Sequence, residues 1–196
     1  MKADIKYIIG KQLIKLLKEM FAQFLATTVN NISLKVHSIR AIEFSDYINN
    51  GDETMVSMIR MDPLKDLILI EIKKDLLEPI LYYACNGLPE SYKTGCNTAK
   101  EITDIDISIM EAYIVRMLGC LRESFTELLD LRPILNLIET SLKDIYDRYI
   151  DFRSVSGTLV EVIIDFNGLW NGKLNFFYPE NTIKQLLEIG EKNESN

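Results

Sequence analysis

Few residues in this 196-residue chain have the types and spacing that catalysis requires. The only histidine, His37, lies in a strand-like run, where a lone histidine is more often structural than a general base. The three cysteines, Cys85, Cys96 and Cys120, are odd in number and fit no metal-binding spacing, so we interpret them as reduced thiols. The chain also has no phosphate-binding glycine loop and no recognisable nucleophile motif. The sequence therefore predicts no enzyme activity, no metal site and no cofactor.

Two neighbouring carboxylates, Asp104 and Asp106, would suit a metal ion or acid–base chemistry. They directly follow Thr103, a residue type that often caps the start of a helix. Carboxylates in the first turn of a helix are stabilised by its free N–H groups and its dipole. We therefore interpret both residues as part of a helix start rather than as a catalytic pair.

The charge of the chain excludes one class of partner. Its net charge is −7, so phosphate backbones repel it and nucleic-acid binding is not expected. The charge is also uneven: residues 101–151 hold eleven acids and five bases, whereas the first twenty residues hold five lysines and two acids. These regions are either two solvated faces or complementary edges for docking neighbouring molecules.

No part of the sequence predicts a membrane span or a secretory leader. The N-terminal segment lacks a continuous apolar core, and apolar stretches such as Leu67–Ile70 are much shorter than the ~20 residues that a span needs. We expect a soluble cytoplasmic protein.

The spacing of apolar residues predicts helices and strands along the whole chain. In the first half we expect a long helix over 4–32, strands over 33–48, 55–61 and 67–72, and a short helix from Asp75 to Leu81. In the second half we expect a long helix from Thr103, strands at Ile134–Ile138, Tyr149–Arg153, Thr158–Phe166 and Lys173–Tyr178, and a last helix from Pro179. Residues 85–101 form the one long predicted loop, and loops longer than ~12 residues are often functional.

The two halves share one order of elements, namely a long helix, strands, a tight turn, a strand and a short helix. Such an internal repeat predicts an α+β fold with a pseudo-two-fold axis, in which long helices pack against a central, mostly antiparallel sheet. We expect a single domain over residues 1–190 and a flexible tail over 191–196.

Several short segments occur in the order and spacing of one known family. Ile102–Met110 is similar to its T-x-I-E-x-x-I element, and Leu17–Leu25 is similar to its H-E-x-F-A-R-x-L element. Weaker matches lie at Tyr47, Asp62–Leu64, Leu137–Thr140, Trp170–Lys173, Phe177–Pro179 and Leu186–Leu187. Together these segments resemble the middle domain of the flagellar motor switch protein FliM, which shares a CheC-like fold with CheC and CheX.

The resemblance implies a non-catalytic component of the flagellar C-ring that takes part in chemotaxis-controlled switching of rotation. Its implied partners are FliG and other FliM copies, with phosphorylated CheY as a further candidate and FliN only through a domain not seen here. The implied location is the cytoplasmic side of the flagellar basal body. An excised middle domain and a natural short paralogue both fit the sequence.

The resemblance also places candidate binding residues. The family's G-G-x-G loop, which contacts FliG, falls at Asn86, Gly87, Leu88 and Pro89, where only Gly87 keeps the glycine pattern. Candidate lateral contacts between copies are Lys11, Lys15, Lys18, Asp104 and Glu111.

Two alternatives to this function are compatible with the sequence. A CheC-type phosphatase of phosphorylated CheY carries an acid and, three positions later, an asparagine that orients the attacking water. Here Glu111 is followed by Ile114 and Glu19 by Ala22, so the amide is missing from both helices. The other alternative is a divergent FliM paralogue that lacks FliG binding.

Trp170, in a predicted turn, is either an interface anchor or part of the sheet edge.

Overall fold

Strands that are apolar on both faces form the centre of the protein. The computed structural model describes residues 32–48, 54–86, 101–126, 129–166 and 171–194. Within these ranges, β2 (Thr54–Asp62) and β3 (Leu67–Lys73) are buried over most of their length. Continuous apolar strands of this kind are found where a sheet is covered on both sides, so the two strands lie between layers of helices.

The other elements follow the predicted order. The remaining strands are β1 (Ile32–Glu43), β4 (Arg132–Glu139), β5 (Ser156–Phe166) and β6 (Asn171–Pro179). The helices are α1 (Phe44–Ile48), α2 (Lys74–Asn86), α3 (Asp104–Phe125), α4 (Leu142–Arg148) and α5 (Glu180–Glu194), with a 3-10 turn at Ile150–Phe152.

The six strands form one sheet in the order β1-β5-β6-β3-β2-β4, and every neighbouring pair is antiparallel. If β1, β2 and β3 are exchanged with β4, β5 and β6, the same order is obtained, read from the opposite edge of the sheet. The central pair is β3–β6, and the first strand of each half pairs with the second strand of the other half. The predicted α+β fold and its internal repeat around one shared sheet are therefore confirmed.

A β-bulge recurs at the same place in both halves. The register of β1 against β5 shifts at His37, between the pairs Val36–Val162 and Ser38–Glu161. The register of β4 against β2 shifts at Asn136, between Met58–Leu137 and Ile59–Leu135. Both bulges lie on edge strands, where an extra residue interrupts pairing with further strands. His37 is thus the extra residue of this bulge in β1, and its side chain is exposed.

Two hydrophobic layers cover the sheet. On the first face, the side chains of α2, α3 and α5 pack on residues such as Ile70, Val162 and Phe176. On the second face, α1, α4 and the 3-10 turn pack on residues such as Leu69 and Phe177. The three longer described helices, α2, α3 and α5, thus lie on one face of the sheet, and the shorter α1, α4 and 3-10 turn lie on the other.

Three local expectations need correction. The predicted strand Tyr149–Arg153 is wrong, because Ile150–Phe152 forms a 3-10 turn that buries only Phe152. The predicted strand over 33–48 ends at Glu43, since Phe44 begins helix α1. A helix of five residues has no stability of its own and is fixed by tertiary contacts, so its apolar spacing is easily taken for a strand. Helix α2 runs to Asn86, past Leu81, with Pro79 inside it.

Some predictions fall outside the described residues. These are the first long helix up to residue 31, the turn at 49–52, most of the long loop at 87–100 and the turn around Trp170. Helix α5 continues to Glu194, beyond the predicted start of the tail at 191. None of the helices in the described part of the chain is long and apolar enough to cross a membrane.

Candidate protein-interaction surfaces

Helix α3 begins with a complete capping box. Thr103 accepts a hydrogen bond from the backbone N–H of Asp106 (3.3 Å), and the Asp106 carboxylate accepts one from the backbone N–H of Thr103 (2.9 Å). These reciprocal bonds satisfy free donors of the first turn. Asp106 is therefore a capping residue, as its position predicts, whereas the Asp104 side chain is exposed.

The face of α3 that points away from the sheet is partly apolar. Its buried side packs on the first face through residues such as Met110, Ile114 and Leu121. On the opposite side Ile105 is 72% exposed and Val115 is 54% exposed. These exposed apolar side chains lie on the side of α3 that also carries the exposed acids Asp104 and Glu111.

The structure places only part of the predicted lateral contacts. Asp104 and Glu111 lie on α3, seven residues apart and both exposed. Lys11, Lys15 and Lys18 lie outside the described residues. The lateral contacts therefore stay a prediction, and only their two acidic residues lie in the described part of the chain.

The predicted FliG-facing loop begins where α2 ends. Asn86 is the last residue of that helix, and Gly87, Leu88 and Pro89 lie outside the described residues. The start of α2 is fixed to β6, because the Asp75 carboxylate accepts a hydrogen bond from the backbone N–H of Lys173 (3.0 Å). Gly172 permits this close approach, since a Cβ there would lie 2.5 Å from the Leu76 Cα.

A polar cluster that the sequence did not indicate lies on the second face. Glu71 is fully buried, and its Oε2 accepts hydrogen bonds from the Tyr47 hydroxyl and from Asn175 Nδ2 (2.7 Å). Lys73 Nζ lies 2.9 Å from the other carboxylate oxygen. Burial and the neighbouring Glu71 charge raise the pKa of Tyr47 well above 10, so this hydroxyl keeps its proton and donates. The cluster ties α1 to the two central strands.

A row of lysines crosses the second face next to that cluster. Lys35 in β1 and Lys173 in β6 both lie opposite Ile163 of β5, one on each side. Their neighbours along the strands, Val36 and Leu174, belong to the core of the first face, so both lysines project to the second face. Both are exposed. We call Lys35, Ile163 and Lys173 the lysine row.

The residues considered for chemistry do not come together. His37 lies on an edge strand, Ile114 is buried three residues after Glu111, and Cys120 is in no disulfide and is buried against the first face. In the part of the chain that the structure describes, no group of three or more His, Cys, Asp or Glu residues could hold a metal ion.

Comparisons with known proteins converge on one family. A family model described as flagellar motor switch protein FliM matches residues 7–192. The flagellar motor switch protein FliM of Treponema pallidum is 28% identical over 181 residues, which are 89% of this chain and 50% of that protein. The chain spans about half the length of the curated relatives it matches.

Solved structures with the same fold share little sequence. The similar chain in the FliG-FliM complex from H. pylori has a TM-score of 0.74 at 16% identity, covering 93% of this chain and 94% of that one. FliY of Thermotoga maritima has a TM-score of 0.76 at 16% identity, covering 98% and 96%. At this identity the likeness establishes the fold alone.

Proposed function

Because the chain belongs to the FliM family of flagellar motor switch proteins, we propose that it is a non-catalytic C-ring component that binds FliG and neighbouring copies of itself. In this role it transmits chemotaxis-controlled switching of rotation by moving as a rigid block, on the cytoplasmic side of the flagellar basal body. The family match over residues 7–192 carries the proposal.

Two structural features support a binding role. A FliM chain of the same fold has been solved in complex with FliG from H. pylori. In the present chain, α2 is fixed at its first turn to the central strand β6 and leads directly into the proposed FliG-facing loop at Asn86–Pro89. A binding loop attached to a rigid element loses less conformational freedom when it binds.

Binding of FliG by the purified chain tests the proposal directly. We expect Gly87→Ala and Leu88→Ala each to weaken or abolish capture by immobilised FliG, because the first restricts the backbone and the second removes apolar contact. Circular dichroism and thermal unfolding of each variant separate a loss of binding from a loss of folding.

The matched control is Lys143→Ala, an exposed residue of α4 on the second face. This variant should bind FliG as the unmodified chain does. If both loop variants also bind normally, the loop assignment is wrong. If the unmodified chain does not bind FliG at all, the alternative of a divergent paralogue without FliG binding is correct.

A phosphatase role makes a different prediction for the same protein. In the proposed binding role the chain should release no phosphate from phosphorylated CheY above the spontaneous rate, since the residue three positions after Glu111 is the buried Ile114 and not the asparagine of the CheC-type pattern. Catalytic turnover in this assay would contradict the non-catalytic proposal.

A further inference from the structure

We propose that the acidic edge of α3, formed by Asp104 and Glu111, docks onto the lysine row of a second copy of this chain. The inference rests on the proposed function in one respect only, which is that copies of the chain stand beside one another. It names the two surfaces that meet.

The spacing of the charges is the first argument. Asp104 and Glu111 are two helical turns apart, so their side chains leave the same side of α3 about 10 Å from each other. Lys35 and Lys173 lie on either side of Ile163, two strand spacings apart, which is also about 10 Å. Two carboxylates can thus meet two ammonium groups at the same time.

The charges are also available. Within the described residues, none of Asp104, Glu111, Lys35 and Lys173 has an ion-pair partner for its side chain. On the second face, Glu161 and Asp165 flank Ile163 along β5. Glu161 is engaged by Ser38 and Arg40, and Glu71 is engaged by Tyr47, Asn175 and Lys73. An acidic partner would therefore meet two lysines that form no ion pair with these acids in the described part of the chain.

Apolar groups lie beside the charges on both surfaces. Ile105, next to Asp104, is 72% exposed, and Ile163 is half-buried between the two lysines. Contact between such groups excludes water from the centre of an interface, while the charged pairs at its rim fix the register and speed the encounter.

The position of the two surfaces decides what assembly they would form. Helix α3 covers the first face of the sheet, whereas the lysine row lies on the second face. One copy can therefore offer α3 to one neighbour and its lysine row to another. Such a heterologous contact repeats from copy to copy and builds a ring or a filament instead of a closed dimer.

A charge-reversal experiment tests the proposal. Variant one carries Lys35→Glu and Lys173→Glu, and variant two carries Asp104→Lys and Glu111→Lys. Analytical ultracentrifugation at low ionic strength should show concentration-dependent association of the unmodified chain, weakened about tenfold or more in each variant alone because attraction becomes repulsion. An equimolar mixture of the two variants should associate again, since each then presents the charge that the other needs.

Restored association in the mixture is the result expected from pairing of these two surfaces. Self-association of either variant at the level of the unmodified chain would overturn the proposal, as would an unmodified chain that stays monomeric at every concentration. Circular dichroism confirms that the variants fold. Both should still bind FliG, so loss of FliG binding by the unmodified chain would contradict the proposed function and not this contact.

Disulfide trapping gives an independent readout. In a background with Cys85→Ser, Cys96→Ser and Cys120→Ala, Ser108→Cys lies midway between the two acids of α3, and Ile163→Cys lies at the centre of the lysine row. Mixing these two proteins under mild oxidation should give a disulfide-linked heterodimer. Replacing the Ser108→Cys protein by one with Lys143→Cys, on α4, should give none. Equal trapping of the two pairs would contradict the proposed contact.

Discussion

The two halves of the sheet differ in chemistry at one matched, buried position of the second face. Glu71 is the third residue from the end of β3, and Phe177 is the third from the end of β6. Both project to the second face, and both are fully buried. Phe177 packs in an aromatic cluster, with its ring 5.4 Å from that of Phe44, whereas Glu71 is held by hydrogen bonds and an ion pair.

The difference shows that the duplicated scaffold fixes backbone geometry but not chemistry. The sheet order and the bulges are the same in both halves, yet this matched position holds an apolar ring in one half and a hydrogen-bonded carboxylate in the other. Tyr47 joins the two regions, since its ring stacks on Phe177 at 6.1 Å while its hydroxyl donates to Glu71. Helix α1 therefore depends on both kinds of contact.

The same substitution at the two matched positions should have unequal effects. Glu71→Leu leaves the Tyr47 hydroxyl, the Asn175 amide and Lys73 without their partner, and removing one member of a buried charged cluster costs about 3–5 kcal/mol. Phe177→Leu keeps most of the apolar volume and should cost about 1–2 kcal/mol. Urea unfolding of both variants measures the difference in the free energy of unfolding.

Glu71→Gln is the control for this pair. Glutamine has the same shape as glutamate and keeps two groups that can accept or donate hydrogen bonds, so this variant should be less destabilised than Glu71→Leu. If Glu71→Leu were no more destabilising than Phe177→Leu, the polar cluster would contribute no stability beyond its packing. The two halves would then be equivalent at this position.

The two buried tyrosines sharpen the comparison at a smaller scale. Tyr47 donates to a carboxylate, whereas the Tyr178 hydroxyl, on the first face, makes no hydrogen bond within the described residues. Tyr47→Phe should cost about 1.5–3 kcal/mol, the usual value for a hydrogen bond to a charged group, and Tyr178→Phe should be close to neutral. Similar costs for both variants would show that the hydrogen bond from Tyr47 to Glu71 adds no stability.

The tyrosines also predict a pH dependence. Burial raises the pKa of Tyr178, and burial with the Glu71 charge raises the pKa of Tyr47. In the unfolded chain both ionise near pH 10, so above that pH the unfolded state binds fewer protons than the folded state and the free energy of unfolding falls. The contribution is fully present below pH 10. In each Phe variant the free energy of unfolding should fall less steeply above pH 10 than in the unmodified chain.

Whether a feature of the fold could be predicted from the sequence depends on how far apart its interacting residues lie along the chain. The start of α3 was predictable because Thr103, Asp104 and Asp106 are adjacent and carry the whole capping signal. The repeat was predictable from the order of elements. The strand order was not, since β1 and β5 pair residues from opposite ends of the chain, such as Ile32 and Phe166.

The functional surfaces show the same limit. An acid in the apolar run of β3 was visible, but its partners Tyr47 and Asn175 come from other strands or helices and leave no local pattern. The lysine row likewise depends on the register that places Lys35 and Lys173 beside Ile163. The acidic edge of α3 was predictable, because helical periodicity alone puts Asp104 and Glu111 on one side.

The smallest predicted effects concern two hydrogen bonds that join the two halves of the chain. Asp75, the second residue of α2, accepts from the backbone N–H of Lys173 (3.0 Å), and Asn181, the second residue of α5, donates to Asp66 (2.8 Å). Asp75→Ala and Asn181→Ala should each cost about 1 kcal/mol, a fall in Tm of about 2–4 °C. The contacts lie at opposite ends of the β3–β6 pair, about 20 Å apart, so the double variant should lose the sum of the two costs. A double-mutant cycle with a large coupling energy would instead show that the halves respond as one cooperative unit at both ends of the central pair.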